Sequence, residues 1–294
     1  MRVQVRCPAK VNLHLQVLGR RADGYHELRT IFAAVGMWDE LSIESAPAGV
    51  LELVVEPAGV VPAGDDNLVV RAARVLAGRL GVTQGARMRV RKGIPVAGGL
   101  GGGSSDAAAA LAGLARLWAG REEPDELEPL AAELGADVPF FLVGGVAWGV
   151  GRGSEVTALP DLPGWWLVLL PGPEPIPTAE VYRALGTTRL DVEAGSEIYQ
   201  WVAAGGKLPL GSCRNDLQPT VVERWPEVGR RLERVHATQP LLAMLSGSGG
   251  TVFGLYQDEA RARQAAEAME TFRPMVAPLL TRAASHPRPS AMEE

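Results

Sequence analysis

Residues 95–105 read P-V-A-G-G-L-G-G-G-S-S, five glycines and two serines with Leu100 between the glycine groups. An alternating stretch, Arg87-Met88-Arg89-Val90-Arg91, precedes them, and D-A-A-A-A-L-A-G-L-A-R-L follows from Asp106. The alternation suits a strand and the alanine-leucine run a helix. A glycine loop feeding a helix offers bare backbone N–H groups and the positive end of the helix dipole, about half an elementary charge. That is a cradle for phosphate. Two common phosphate loops are excluded by the letters. A Walker loop needs lysine after its last glycine, and Gly103 is followed by Ser104. A dinucleotide fingerprint starting at Gly99 needs its third glycine where Ser104 stands. A flexible glycine-serine linker would not need a strand and a helix on its flanks. The stretch predicts a nucleotide-phosphate site built from Pro95, Val96, Ala97, Gly98, Gly99, Leu100, Gly101, Gly102, Gly103, Ser104 and Ser105.

The chain of 294 residues is long enough for about two domains of roughly 150 residues each. Its 47% hydrophobic and 21% charged content is that of a globular protein. A net charge of −5 gives no broad basic field for nucleic acid, so an anionic ligand must be held by local dipoles and a few cations. Arg87, Arg89, Arg91 and Lys92 form the one basic stripe near the glycine loop, and their alternation suits a solvated strand face. Cys7 and Cys213 are too few for a disulfide framework, and four scattered histidines give no zinc signature, so no residue is assigned to a metal by spacing. Arg2, Arg6 and Lys10 without an apolar core do not make a secretory signal. The longest apolar run, residues 138–150, falls short of the ~20 residues a membrane span needs. These features predict a reduced, cytoplasmic protein with no nucleic-acid or membrane partner, and no obligate protein partner is evident.

Along the chain, Val3, Val5 and Cys7 alternate with charged and polar residues as in a strand. After Pro8 a second alternation puts Val11, Leu13, Leu15 and Val17 on one face and Lys10, Asn12, His14 and Gln16 on the other. Strand-like pieces follow at 40–44 and 51–56, then a helix at 67–80 capped by Asp65 or Asp66. A helix at 124–134 is stopped by Gly135, and residues 143–150 and 155–158 suit strands. P-D-L-P-G at 160–164 marks the domain boundary, dividing the chain into 1–160 and 161–284. Beyond it, strands at 165–170, 241–245, 251–256 and 274–280 and helices at 215–236 and 258–269 follow the order β-α-β-β-α-β, which is ferredoxin-like. An insertion at 171–213, with a helical patch at 178–185, splits that order after its first strand, and a loop so long is usually functional. Residues 285–294 are polar and proline-bearing and are expected to lack order. The fold class is α+β.

Several short constellations could carry chemistry. Lys10, in P-A-K-V-N-L-H-L, shares a strand face with Asn12, and spacing alone also allows an ordinary lysine facing water. Asp137, in L-G-A-D-V-P-F-F-L, reads first as a helix N-cap before Val138-Pro139, and second as a base sheltered by Phe140-Phe141. Ser246-Gly247-Ser248-Gly249-Gly250 holds more glycine than a hairpin requires, as if something must approach its backbone. Arg20-Arg21-Ala22-Asp23-Gly24-Tyr25-His26 is a turn followed by an aromatic ring and an imidazole, and Tyr25 could serve as a platform for a base.

Taken together, P-A-K-V-N-L-H-L-Q-V-L-G-R-R-A-D-G-Y-H-E-L, P-V-A-G-G-L-G-G-G-S-S-D-A-A-A-A-L, G-A-D-V-P-F-F and L-S-G-S-G-G-T-V-F-G-L resemble the GHMP kinases, in the order expected of them. The resemblance runs from Val5 to about Leu280. The glycine loop alone would indicate only the superfamily, whereas R-A-D-G-Y-H-E-L and A-D-V-P-F narrow it to members of the non-mevalonate isoprenoid pathway that phosphorylate a cytidylyl alcohol. It implies a two-domain fold, with a βαβ-containing nucleotide-binding N-terminal domain and a ferredoxin-like C-terminal domain. It also implies ATP as phosphoryl donor, with Mg²⁺ next to Ser104 or Ser105. By resemblance, Lys10 and Asp137 are catalytic, residues 95–105 hold the ATP phosphates, and Asn12 touches substrate. Tyr25 and His26 match a cytosine-recognising pair. Tyr182, in I-P-T-A-E-V-Y, matches a second aromatic that closes over the cytosine. Some relatives have phenylalanine there, and tyrosine keeps the stacking face. The S-G-S-G-G turn matches the third superfamily motif, which shapes the site. Two other readings stay open at this point: a GHMP kinase acting on a sugar or on mevalonate, and a non-catalytic nucleotide-binding protein on the same scaffold. An oxidoreductase lacks its fingerprint glycine.

Overall fold

The computed structural model describes residues 2–120, 124–186, 196–204 and 206–292. In chain order its first part comprises β1 (Arg2–Arg20), β2 (His26–Ala46), β3 (Leu51–Glu56), α1 (Leu68–Leu80), β4 (Gly85–Arg91), α2 (Gly102–Ala119), α3 (Pro124–Leu134), α4 (Val138–Val143), β5 (Val146–Gly151) and β6 (Glu155–Leu159). The two alternations expected on either side of Pro8 are one long strand. β1 pairs with β2 along its whole length, and the ladder shifts register at Pro8/Ala9, Asn12/His14 and Val17/Gly19. Proline has no N–H to give the ladder, and a bulge absorbs it without ending the strand. The far edge of β2 is shared, with residues 28–33 pairing β5 and residues 40–46 pairing β4.

α2 is the centre of the first core. Its alanines at 107–110 are buried, and Gly113 lies so close to Ile43 that a Cβ there would sit 2.6 Å from Cδ1. Small side chains let the helix lie flat on β1 and β2, and Leu111 and Leu114 fill the space between. Each fully buried leucine is worth about 1.5–3 kcal/mol. α1 starts one residue later than expected. Asn67, not Asp65 or Asp66, is its cap, with Oδ1 accepting the Val69 N–H at 2.9 Å, while Asp65 pairs with Arg74. β5 begins at Val146 because Val143 completes α4, and Gly144 and Gly145, both at positive φ, turn the chain.

The basic stripe divides. Arg87, Arg89 and Arg91 are exposed and pair with Glu52, Glu56 and Glu40, as a solvated face should. Lys92 departs from it. Its ammonium is buried between Asp39 and Asp106, and Asp39 Oδ1 also accepts the N–H groups of Gly93 (2.6 Å) and Ile94 (2.8 Å).

The second part comprises β7 (Trp166–Leu170), α5 (Thr178–Leu185), α6 (Ser196–Ala204), α7 (Gln218–Arg224), α8 (Pro226–Ala237), β8 (Leu242–Leu245), β9 (Val252–Tyr256), α9 (Glu259–Glu267), β10 (Met275–Pro278), α10 (Arg282–Ser285) and β11 (Ser290–Met292). β10-β7-β9-β8 form an antiparallel four-stranded sheet, the spatial order that a β-α-β-β-α-β chain gives. The helix expected over 215–236 is two helices. Pro226 cannot continue α7, and Trp225 before it leaves the helical region, at φ −124° and ψ 78°. The tail expected to lack order at 285–294 is structured where it is described. Ser285 caps the Gly144-Gly145 turn through its hydroxyl, and β11 pairs with Arg2, Val3 and Gln4 of β1. Those residues are the outer edge of the larger sheet, whose unpaired backbone groups need a partner. Among the described residues no helix is long and apolar enough to cross a membrane.

Candidate active site

A cavity of about 1060 Å³ opens where β1, the glycine loop, the start of α4, the 246–250 turn and α5 converge. Lys10 lies at its floor. The Lys10 backbone N–H donates to the Leu100 carbonyl at 2.9 Å, which seats β1 directly against the glycine loop. Its ammonium donates to Asn12 Oδ1 at 2.7 Å and lies 3.3 Å from Asp137 Oδ2. Asn12 is fixed in turn. The Thr30 hydroxyl donates to the His14 carbonyl (2.7 Å) and so must accept from Asn12 Nδ2 (2.8 Å), which leaves the Asn12 oxygen facing the lysine. The lysine facing water is therefore excluded, since its side chain is only 4% exposed.

Asp137 occupies the N-cap position of α4 and does not act as its cap. Its backbone is helical, at φ −85° and ψ −12°, and its side chain makes no capping hydrogen bond. The carboxylate turns instead to Lys10 and keeps 34% exposure, open to the cavity. A buried ammonium beside a half-open carboxylate leaves the carboxylate free to meet a further group.

The glycine loop leads into α2, which begins at Gly102 and not at the expected Asp106, so Gly102, Gly103, Ser104 and Ser105 form the first turn of the helix. Gly99, Gly101 and Ser104 line the cavity. Leu100 turns inward, Val96 is on the surface, and Ser105 is buried with its hydroxyl unpartnered. At Gly101, φ is +72° and a Cβ would sit 2.8 Å from Phe141 and 3.0 Å from Lys10 Cγ. The glycine excess of the second turn has a similar cause. Ser246 Oγ donates to the Gly99 carbonyl (2.9 Å), the Thr251 N–H donates to Gly98 (3.3 Å), and a Cβ on Gly249 would fall 2.3 Å from the Gly98 carbonyl carbon. Two glycine segments distant in sequence thus meet main chain to main chain.

The far end of the cavity holds the aromatic residues. Arg21 pairs with Asp23 and Glu27, and Asp23 Oδ1 accepts the Tyr25 N–H at 3.1 Å. This shapes the hairpin tip. Tyr25 stands exposed on the rim, with the Arg152 guanidinium 4.9 Å from its ring centroid. His26 stacks on Tyr182 instead, with centroids 4.8 Å apart and planes at 28°. Burial, and then the positive charge of Arg20, pushes the His26 imidazole below its ordinary value, so the ring is neutral near pH 7. Burial, and then Asp137, pushes the Tyr182 phenol upward. α5 is joined to the second glycine turn by Thr178 Oγ1 and Ser248 Oγ, 2.7 Å apart.

The structure thus brings Lys10, Asn12, Asp137, Gly99, Gly101, Ser104, Tyr25, His26 and Tyr182 to one cavity. His14, on the same strand face as Lys10 and Asn12, is not in it. His14 is buried, its Nδ1 accepts the Arg214 N–H at 3.4 Å, and burial with the Arg214 charge lowers it to about 4. Sequence reasoning missed Thr30, Arg152 and Asn215. Thr30 shares no sequence segment with Asn12, and only the β1–β2 register brings them together. It also missed that Lys92, Asp39 and Asp106 form one buried group at the start of α2. There burial, and then Asp39, raises the Asp106 carboxyl to about 7 against the pull of Lys92.

A two-sheet chain with a glycine-loop helix, a lysine-aspartate pair and a second glycine turn locked on the first defines a class, that of the GHMP kinases. The family described as GHMP kinases N terminal domain matches residues 67–145, and GHMP kinases C terminal matches residues 204–273. Among curated relatives, a 4-diphosphocytidyl-2-C-methyl-D-erythritol kinase from Pelotomaculum thermopropionicum is 43% identical over 263 residues, covering 88% of this chain and 90% of its own. One from a Nocardioides species is 41% identical, covering 89% and 91%. A crystal structure of 4-(cytidine 5'-diphospho)-2C-methyl-D-erythritol kinase is 37% identical, with a TM-score of 0.76 over 94% of this chain and 98% of that one. A homoserine kinase from Cytophaga hutchinsonii, 17% identical with a TM-score of 0.76 over 98% and 97%, shares the fold. The chain belongs to the family of 4-diphosphocytidyl-2-C-methyl-D-erythritol kinases within the GHMP kinases.

Proposed function

We propose that the protein transfers the γ-phosphoryl group of ATP to the 2-hydroxyl of 4-diphosphocytidyl-2-C-methyl-D-erythritol, in the methylerythritol phosphate route to isoprenoids. The observation that carries this reading is the contact of Lys10 and Asp137 across from the glycine loop in the same cavity that ends at His26 and Tyr182. Phosphoryl transfer asks a protein chiefly for positioning and charge stabilisation. The backbone N–H groups at the start of α2 hold the donor's phosphates. Asp137, half open, accepts the proton of the attacking hydroxyl, and the buried Lys10 ammonium orients the carboxylate and offsets the negative charge that develops on the acceptor oxygen. Asn12 keeps the ammonium aimed. For a magnesium ion the candidate ligands are Ser104, which lines the cavity, and Ser105, whose buried hydroxyl has no partner. These serines would hold it, and when bound it would neutralise charge on the donor's phosphate oxygens.

Tyr25, His26 and Tyr182 form the cytosine end. A flat base meets π-faces there, and the neutral imidazole offers one donor and one acceptor. Both cysteines are free thiols, which supports a reducing cytoplasmic setting. The test is ATP-dependent phosphorylation of 4-diphosphocytidyl-2-C-methyl-D-erythritol, with mevalonate and galactose as controls. Turnover confined to the cytidylyl alcohol is expected, and turnover of either control at the same rate would overturn the substrate assignment.

A further inference from the structure

The segment Arg214-Asn215-Asp216-Leu217 enters α7 alongside β1. The Leu15 N–H donates to the Arg214 carbonyl at 2.7 Å, and the Asp216 N–H donates back to Leu15 at 2.9 Å. Between them lies Asn215, 5% exposed and outside the cavity. Its Nδ2 gives both protons to main chain, to the carbonyls of Leu245 (2.9 Å) and Gly247 (2.7 Å), while Oδ1 takes the Leu217 N–H at 2.9 Å. The Asn215 side chain therefore ties the turn that rests on Gly98 and Gly99 to a segment whose backbone is paired with the strand that carries Lys10. Gly247 stands at the junction. Its φ is +58°, and a Cβ there would lie 3.3 Å from both Asn12 Oδ1 and Lys10 Nζ.

We infer that Asn215 is a positioning residue, which fixes the second glycine turn between the acceptor-side lysine and the phosphate loop without touching either substrate. The inference rests on the kinase reading for its turnover arm and on the glycine loop alone for its binding arm. An amide is the side chain that can do this. Two convergent carbonyls need two donors, and a third bond to an N–H needs an acceptor on the same group. Asn215→Asp keeps the shape and replaces the donors with an oxygen facing two carbonyls, so the turn must move away. Asn215→Ser keeps one donor on a shorter arm. At the far end His26 is held by β2, and α5, which carries Tyr182, meets the turn through the Thr178–Ser248 hydrogen bond at its first residue. The perturbation should therefore fall chiefly on the phosphate side.

The experiment measures binding of a non-hydrolysable ATP analogue and of cytidine 5'-diphosphate by calorimetry, alongside kcat and both KM values, on wild type, Asn215→Asp and Asn215→Ser. Misplacement near a reacting centre by about 1 Å can cost ~10²-fold. The expected result for Asn215→Asp is a fall of 10-fold or more in analogue affinity and in kcat, with cytidine 5'-diphosphate affinity within about twofold of wild type, and Asn215→Ser in between. Unchanged analogue affinity and kcat in folded variants would overturn the inference. So would equal weakening of both ligands, which marks general loosening. Should the aspartate variant not fold, the serine variant carries the same readouts. Wild type that binds the analogue but fails to turn over the cytidylyl alcohol would refute the substrate reading and leave the binding arm for Asn215 standing.

Discussion

Asp137→Asn removes one charge and changes almost nothing in shape, which makes it the sharpest test of the site. The carboxylate lies 3.3 Å from Lys10 Nζ and keeps about a third of its surface in solvent. Burial of the ammonium raises the cost of losing its partner, and removing one member of a fully buried pair costs about 3–5 kcal/mol. Here water reaches the carboxylate, and the new amide oxygen still accepts from the ammonium, so the loss in stability falls to about 1 kcal/mol. For a chain of this size that is a drop in Tm of roughly 2–4 °C. The chemical cost is larger. Loss of a general base costs ~10²–10⁴-fold in rate, equivalent to about 3–5 kcal/mol of barrier. The donor's phosphates are held by the loop backbone, so the KM for ATP should change by less than about threefold. ADP release coupled to NADH oxidation measures turnover, calorimetry measures ATP affinity, and a thermal melt measures stability. Activity within about tenfold of wild type would refute the role of Asp137 as base. Lost activity accompanied by lost ATP binding would refute the division of labour between carboxylate and loop.

Other outcomes follow from the same geometry. Tyr182→Ala removes the ring stacked on His26 and should raise the KM for the cytidylyl alcohol by roughly the 1–3 kcal/mol of one base stack while leaving that for ATP alone, as initial rates will show. Gly101→Ala forces a Cβ against Phe141 and Lys10 at a positive φ, so both kcat and ATP affinity should fall, measured by single-turnover kinetics and calorimetry. Lys92→Met leaves Asp39 and Asp106 facing each other in a buried space and should cost about 3–5 kcal/mol in urea unfolding. The His14 imidazole is held at about 4 against an ordinary 6.5, so the unfolded chain binds the proton that the folded chain refuses. Stability from this group is therefore lost as pH falls from 6.5 towards 4, by about 3 kcal/mol in all, and His14→Gln should flatten that acid limb in urea titrations at stepped pH.

Local chemistry was legible and distant pairing was not. The glycine loop and α2 are read directly, because positive φ and bare N–H groups need glycine and a run of alanine needs little else to be a helix. The second sheet is equally plain, since its strands and helices succeed one another in an order that admits few arrangements. Asp137 shows the limit. By local rules it is a cap, and only the return of β1 to the mouth of α4 makes it a partner of Lys10. Lys92 continues an exposed stripe in sequence, yet the strand has ended by then and the chain turns inward to Asp39 and Asp106. Pro226 did announce the break between α7 and α8, and the amphipathic pattern that spans it masked the signal. The tail pairs with β1 through backbone groups, which no side-chain pattern reveals.

Where Gly249 meets Gly98 and Gly99 the contact is peptide group against peptide group, flanked by the Ser246 and Thr251 hydroxyls. A substitution on either side cannot be answered by a compensating one on the other, so that wall of the chamber is closed to evolutionary adjustment. The side chains that can reshape the chamber stand on its other walls, at the hairpin tip, on α5 and at Leu28, Phe32 and Arg152.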